Sequence, residues 1–454
     1  MTKTLQTLIL LLPWLNTVCS IAQADPNFIV IFTDDQTYRA VGYNNSLIKT
    51  PALDQLAKDG LILDNAYVAS PVCGASRASI MTSLFPQQHS CVCLHTGPFV
   101  GNTQNGTYKC LPQFLNAAGY VTGFCGKSNL GSPQKYGFRH GKEHNDVFDD
   151  EAFSFASGFL ADRSQDERPF LLWIAPRQPH VPLKPAKKWR DLYNNVPLAT
   201  DPNFLVQPPT GSLYNQGLPG ESYYRDSDYT DNYQKLPAGP PRSRATMLSY
   251  IMAYYATISH LDHQVGELMA QLKDVGLYEN TAIFFLSDNG YHLGNHGLGN
   301  KLTMHEESVR VPMFVHYPGM QQHGVHSDEL VSSLDVVPTI LEMAGLEIPD
   351  TLMGTSLVPV MKNPKHTLRE FVASESVGLG GKTGQGHRMI RTKRWKYAVT
   401  GINEEALFDE QNDTWELTNL ASDSGHRETL LEMRKTMSDW MDSIGDTHAR
   451  PPSD

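Results

Sequence analysis

Three groups of residues in this chain have types and spacing that could do chemistry. The first is Ser70-Pro71-Val72-Cys73-Gly74-Ala75-Ser76-Arg77, running on into Ala78-Ser79-Ile80-Met81-Thr82-Ser83. A lone Cys stands behind a small, Pro-containing turn and ahead of a predicted short helix. At a helix start a thiol faces unpaired backbone N–H groups and the positive end of the dipole, which lower its pKa and favour anions beside it. Arg77, four residues on, adds a fixed positive charge over the same spot. Taken alone, the pair also fits a buried structural thiol with a surface arginine. The second group, Asp34-Asp35 and Asp288-Asn289, offers hard oxygen ligands suited to Ca2+ or Mg2+ rather than a soft metal. Each pair alone reads as a turn or a helix cap. Two pairs at the ends of two apolar strands read as a site. The third group is cationic: Lys127 and His180 each follow an apolar strand directly.

The elements that must bring these groups together share one grammar, an apolar run of strand length ending in a polar turn. Phe28–Phe32 ends in Thr33-Asp34-Asp35, and Tyr120–Cys125 in Gly126-Lys127-Ser128-Asn129. Phe170–Ala175 ends in Pro176-Arg177-Gln178-Pro179-His180, and Ala282–Leu286 in Ser287-Asp288-Asn289-Gly290. Continuously apolar runs belong to a sheet buried on both faces. Helical patterns separate them, at Pro51–Gly60, Leu111–Gly119 and Tyr250–Val275. The predicted fold is therefore α/β, with a large, mostly parallel central sheet flanked by helices. Ligands bind such sheets at the carboxyl ends of the strands, where all four polar turns sit.

Val311–His316 reads as a further strand, and Leu334–Gly345 as a helix whose Pro338 must fall near its first turn. Residues 192–244, rich in Pro, Gly, Tyr, Asn and Asp, read as an inserted loop region at the pocket mouth. From about residue 365 the pattern turns to short strands, Arg388–Arg391, Trp395–Val399 and Ala406–Asp409, closed by an amphipathic helix over His426–Ile444. The expected organisation is a main α/β domain over 25–364 and a small C-terminal antiparallel sheet plus helix over 365–454.

The totals narrow the function. With 40% apolar and 19% charged residues in 454, the composition is that of a globular chain with a sizeable core. A net charge of −11 argues against nucleic acid and anionic membrane surfaces as partners, while leaving room for a local cationic pocket. Residues 1–24 read as a secretory signal, with Lys3, an apolar core around Leu8–Leu12, and Ala22-Gln23-Ala24 as cleavage site. Export to the periplasm or medium is expected; Val18 is too large for Cys19 to form a good lipoprotein box. No run is long enough for stable membrane insertion. In an exported protein Cys91, Cys93, Cys110 and Cys125 would form one or two disulfides. His292 and His296 fall in a Gly-rich loop and are candidate pocket residues. His260 and His263 lie on the Tyr250–Val275 helix, where surface or packed histidines are the ordinary reading and His260 is a candidate for substrate binding.

Cys73-Gly74-Ala75-Ser76-Arg77 fits Cys-x-Pro/Ala-x-Arg, and with its Ser-Arg-Ala-Ser continuation it resembles the signature of the formylglycine-dependent sulfatases of the alkaline phosphatase-like superfamily. The two acidic pairs match that family. So do Gln178-Pro179-His180-Val181-Pro182, Lys301 ahead of Glu306–Pro312, and Leu417-Thr418-Asn419-Leu420-Ala421. The resemblance implies that a maturation enzyme oxidises Cys73 to formylglycine, whose hydrated aldehyde is the nucleophile. It implies a divalent cation, usually calcium, held by Asp34, Asp35, Asp288, Asn289 and the residue at position 73. Arg77, Lys127, His180 and Lys301 would neutralise the sulfate, with His180 or Lys301 as proton donor. The implied substrate is a sulfated carbohydrate. One departure stands out: Ser128-Asn129-Leu130-Gly131 replaces the family's frequent Trp-His-Leu-Gly. Asn129 can hydrogen-bond a formylglycine oxygen but cannot take a proton near neutral pH, which leaves the base open, with His292 as a substitute. Two rival readings remain: a phosphodiesterase or phosphonate hydrolase of the same superfamily, and a non-catalytic binder of sulfated glycans.

Overall fold

The structure, a computed structural model, describes residues 25–92, 108–198, 200–206, 244–320, 323–376, 386–401, 403–447 and 450–452. The segment 1–24, Cys93 and residues 207–243 of the inserted region lie outside them. The strands of the first part are β1 (Asn27–Thr33), β2 (Leu61–Tyr67), β3 (Val121–Gly126), β4 (His140–Glu143), β5 (Phe170–Ala175) and β6 (Thr281–Ser287). A small hairpin follows, β7 (His292–Leu293) with β8 (Gly299–Asn300), and then β9 (Met313–His316) and β10 (Val325–Ser332). All but the hairpin join one eight-stranded sheet, in the order β10-β2-β9-β6-β1-β5-β3-β4. Neighbours run parallel except at β9, which opposes β2 and β6.

The expected burial on both faces is met residue by residue. Phe28, Val30 and Phe32 of β1 enter one core, while Ile29 and Ile31 enter the other. Helices α1 (Pro51–Lys58), α2 (Cys73–Thr82), α3 (Leu111–Ala117), α4 (Asp150–Arg163), α5 (Arg244–Asp274) and α6 (Val336–Met343) cover these faces. Pro51 opens α1 and Pro338 is the third residue of α6, both in the first turn, where a missing N–H breaks no helical bond.

A second sheet, ordered β11 (Phe371–Ser376), β12 (His387–Thr392), β13 (Trp395–Val399), β14 (Glu405–Asp409), is antiparallel throughout. Helix α7 (Arg427–Ile444) covers it with Leu430, Met433, Met437, Trp440, Met441 and Ile444, and stops at Gly445 with φ 71. No helix among the described residues is long and apolar enough to cross a membrane.

The disulfide expectation needs correction for two cysteines. Cys125 packs into the core on one face of the main sheet and Cys110 into the core on the other, so the sheet itself separates them; both are free, buried thiols.

Candidate active site

Strands β6, β1, β5 and β3 lie side by side, and their outgoing turns carry every candidate ligand and cation of the sequence reading except Cys73, Arg77 and Lys301. The β1–β6 register, with Thr33 opposite Ser287, sets Asp34 beside Asp288. Asp288 N donates to Thr33 O at 3.0 Å, and Asp35 N donates to Asp288 Oδ1 at 3.1 Å. Gly126 ends β3 with φ +101, and a Cβ there would sit 2.0 Å from Ala175 O. Only glycine fits, and the close approach lets Lys127 N donate to Ala175 O at 2.7 Å.

Cys73 is the first residue of α2, as its sequence context predicts. Its Sγ lies 3.3 Å from Asp34 Oδ1 and 2.7 Å from Lys301 Nζ. Lys127 is paired with Asp34 and Lys301 with Asp35. Arg77 Nε donates to Asp288 Oδ2 at 2.9 Å, Nη2 lies 2.8 Å from the same oxygen, and Nη1 donates to Lys127 O at 2.6 Å. His180 Nδ1 lies 2.6 Å from Val181 O. A carbonyl can only accept, so Nδ1 carries the proton and Nε2 faces Asp35 Oδ2 at 3.7 Å. Lys301 is flanked by Asn300 at φ 63 and Leu302 at φ 83. A leucine in that region is strained by roughly 1–3 kcal/mol, a strain that gathers where a side chain must be aimed.

The electrostatics correct one sequence expectation. The helix start does not make Cys73 acidic: burial, and then the Asp34 carboxylate, push its thiol well above the usual range against the pull of Lys301. Burial also works against Asp34, yet Lys127, His180, Arg77 and Lys301 together hold it well below the ordinary carboxylate range. Asp288 is pushed up to about 7, by burial and then by Asp34. Burial lowers His180, partly offset by Asp34 and Asp35.

These residues fit a hard divalent cation. Oxygens of Asp34, Asp35 and Asp288 and Cys73 Sγ all fall within 4.8 Å of one another, fully enclosed. Asn289 Nδ2 donates to Asp35 Oδ1 at 2.7 Å, while its Oδ1 is buried with no partner among the described residues. An orphaned acceptor beside crowded carboxylates is a donor set for a hard cation.

The remaining predicted residues have surroundings of their own. His292 is fully buried, with Nε2 2.8 Å from Thr303 Oγ1 and its pKa pushed to about 3 by burial; packed this way, it lines no open surface. Asn129, at φ 58, donates its backbone N–H to Glu143 Oε1 at 3.2 Å, and its Nδ2 is buried without a partner among the described residues. His260 stacks on Trp189 beside an open groove.

Sequence reasoning missed the residues that brace the site. Tyr254 of α5 donates to Asp35 O at 2.5 Å and accepts from Thr37 N at 3.1 Å. Buried Asp149 accepts from Arg177 N at 2.7 Å and Gln178 N at 2.9 Å, clamping the turn that carries His180. The positive φ of Asp149, a common habit of Asp and Asn in turns, leaves no mark in a single sequence.

A second cluster, His296, His305 and Glu416, also gathers potential ligands. Its two rings stack at 3.8 Å with 13° between planes, so their in-plane lone pairs cannot both aim at one ion. Lys396 Nζ holds the other Glu416 oxygen at 2.8 Å. This is a structural ion network.

Comparison with known proteins gives the chain a family. Residues 26–346 match the Sulfatase family model, and residues 294–443 match the model of the N-sulphoglucosamine sulphohydrolase C-terminal region. The chain is 26% identical to an N-acetylglucosamine-6-O-sulfatase of Bacteroides thetaiotaomicron, over 91% of this chain and 85% of that one. It is 28% identical to an arylsulfatase of Clostridium perfringens, over 91% and 93%. A solved protein in complex with its substrate D-glucosamine-2-N,6-O-disulfate shares the fold, with a TM-score of 0.78 at 24% identity, covering 94% of this chain and 100% of that one. The chain belongs to the sulfatase family, hydrolases of sulfuric esters.

Proposed function

We propose that this sulfatase is exported and releases sulfate from a sulfated sugar, using a nucleophile made from Cys73 and a calcium ion. The observation that carries the reading is the convergence at Cys73: Sγ within 3.3 Å of Asp34 and 2.7 Å of Lys301, inside a closed ring of three carboxylates and three cationic side chains. The sugar comes from the relatives, since the Bacteroides protein is an N-acetylglucosamine-6-O-sulfatase and a Formosa agariphila relative, 27% identical, is an ulvan-active sulfatase. With position 73 as formylglycine and a cation on Asp34, Asp35, Asp288 and Asn289, the site would gain a hydrated aldehyde as nucleophile and a Lewis acid on the sulfate.

The chain's own residues do the rest. Arg77, Lys127 and Lys301, held in place by carboxylates, present fixed positive charge to the sulfate in a site that excludes water. His180 Nδ1–H is committed to Val181 O, so His180 gives the leaving sugar oxygen a proton only as the imidazolium, from Nε2; Lys301, an ammonium beside Cys73, is the other donor.

The test is mass spectrometry of the tryptic peptide Asp59–Arg77 from protein made in its native host, beside assays of sulfate release. The expected result is an aldehyde at Cys73. An intact thiol in active protein would overturn the mechanism. Faster turnover of an aryl phosphate diester than of an aryl sulfate would overturn the choice of sulfate.

A further inference from the structure

Between α4 and α5 runs an open groove of about 410 Å3. Asp150, Ser154, Lys188, Gln264 and Glu267 line it, giving donors and acceptors with charges of both signs. At one end the Trp189 ring stacks on His260, with centroids 5.6 Å apart and 26° between planes, and lies 5.1 Å from His263. Beyond the indole is a second hollow of about 490 Å3, to which Trp189, Leu192 and Lys49 contribute. The indole thus forms a ridge between two hollows. Phe148, 40% exposed, lies against the His260 ring at 6.3 Å, and Leu192 is 43% exposed.

This ledge is held against a cost. Trp189 Nε1 and His260 Nδ1 are buried with no partner among the described residues, and an unpaired buried donor weakens the fold. The groove is also tied to the catalytic centre. Gln264 donates to Phe148 O at 2.8 Å and accepts from Gln178 Nε2 at 3.1 Å, two residues before His180. Along α5, Tyr254 touches the Asp35 backbone, and His260 follows about 9 Å further up the helix axis.

We propose that this groove and its Trp189–Phe148 ledge bind the sugar units that lie beyond the sulfated residue of an oligosaccharide. The proposal rests on the sulfated-sugar reading above. A pyranose has an apolar C–H face and a rim of hydroxyls, which matches aromatic faces bordered by mixed polar side chains. Asp150 and Glu267 outweigh Lys188, so the ligand class is a neutral saccharide unit rather than a heavily sulfated one.

The test compares sulfate release from two substrates, 6-O-sulfated N-acetylglucosamine and a tetrasaccharide ending in that residue. Trp189→Ala should lower the ratio of kcat/KM, tetrasaccharide over monosaccharide, about tenfold, mainly through KM, as the loss of one aromatic stacking surface implies. Trp189→Phe should restore most of the ratio. Ser154→Trp, on the exposed side of α4, should fill the groove and lower the ratio without touching the stack. An unchanged ratio in both Trp189→Ala and Ser154→Trp overturns the proposal. Release from neither sugar, with aryl sulfate still cleaved, would sink the sugar reading instead. The groove is then judged by binding of an unsulfated N-acetylglucosamine tetramer to the Cys73→Ala protein. A tryptophan fluorescence change lost in Cys73→Ala/Trp189→Ala supports the proposal, and no change overturns it.

Discussion

Two nitrogens of Arg77 converge on a single oxygen of Asp288, Nε at 2.9 Å and Nη2 at 2.8 Å, leaving the other oxygen to accept Asp35 N. The arginine thereby orients a carboxylate of the proposed cation site while its third nitrogen holds the Lys127 carbonyl. A lysine brings the charge but not the fork. Arg77→Lys should cut kcat about 10²–10³-fold, the range seen when one oriented charge-stabilising donor is lost. The check is steady-state sulfate release, with circular dichroism to show that the fold survives.

Removing the cation should cost both activity and stability. Asp34, Asp35 and Asp288 crowd together without exposure, so a bound ion relieves their repulsion in the folded state alone. Dialysis against EDTA should abolish sulfate release, and Ca2+ should restore it. At a hundred times its dissociation constant the ion should add about 2.7 kcal/mol of stability, read as a rise in Tm. Equal Tm values with and without Ca2+ would contradict the assigned ligand set.

What the sequence discloses here is what local pattern controls. Strands β1, β3, β5 and β6 are legible because burial on both faces forces unbroken apolar runs, and the site residues follow them directly. Strand β2 is not, since Asp64-Asn65 interrupts it at half-exposed positions, and β10 carries His326-Ser327-Asp328-Glu329 near the sheet edge. The α2 start at Cys73 is local and legible. The acidity of its thiol is not, because burial, and then Asp34, 39 residues away, outweigh the helix end. Nothing local in the sequence marks Glu306, Lys396 and Glu416 for burial, yet all three are buried as partners, Lys396 between the two acids.

Asp262 of α5 reaches across to the start of α1, accepting from Leu53 N at 2.8 Å and Ala52 N at 3.3 Å. It does the work of an N-cap from another helix. Asp262→Ala should cost about 2 kcal/mol, since two enclosed helix N–H groups lose their acceptor. Burial raises its pKa from 3.8 to about 7 in the folded chain. The folded state therefore holds a proton that the unfolded state has lost across that window. Its contribution to stability is full below about pH 4 and falls as pH rises to about 7. Asp262→Asn keeps an acceptor and removes the titration. Urea unfolding from pH 4 to 8 should show the Asn variant gaining on the wild type as pH rises; parallel profiles would refute the assignment.

Lys396 on β13 is the cation at the centre of three buried carboxylates, 2.7 Å from Glu306, 2.8 Å from Glu416 and 3.6 Å from Glu410. Glu306 belongs to the run before β9 and the other two to the stretch after β14, so one ammonium joins the C-terminal sheet to the main body. Burial opposes ionisation of Glu416, but Lys396 and His305 hold its pKa well below 4.5. That pairing stabilises the chain above about pH 4.5 and is lost as pH falls. Lys396→Met keeps the volume and removes the cation the carboxylates share, leaving Glu306 to Arg310 and Glu416 to His305. It should cost about 3–5 kcal/mol near pH 8, the usual penalty for breaking a buried ion pair from one side. Glu306 and Glu416, both held below 4.5 with Lys396 in place, would then titrate upward in the folded state, so lowering the pH toward 5 should shrink the penalty. Urea midpoints of wild type and variant at pH 5 and pH 8 decide the matter, and a gap that widens at pH 5 would rule out Lys396 as their counter-charge.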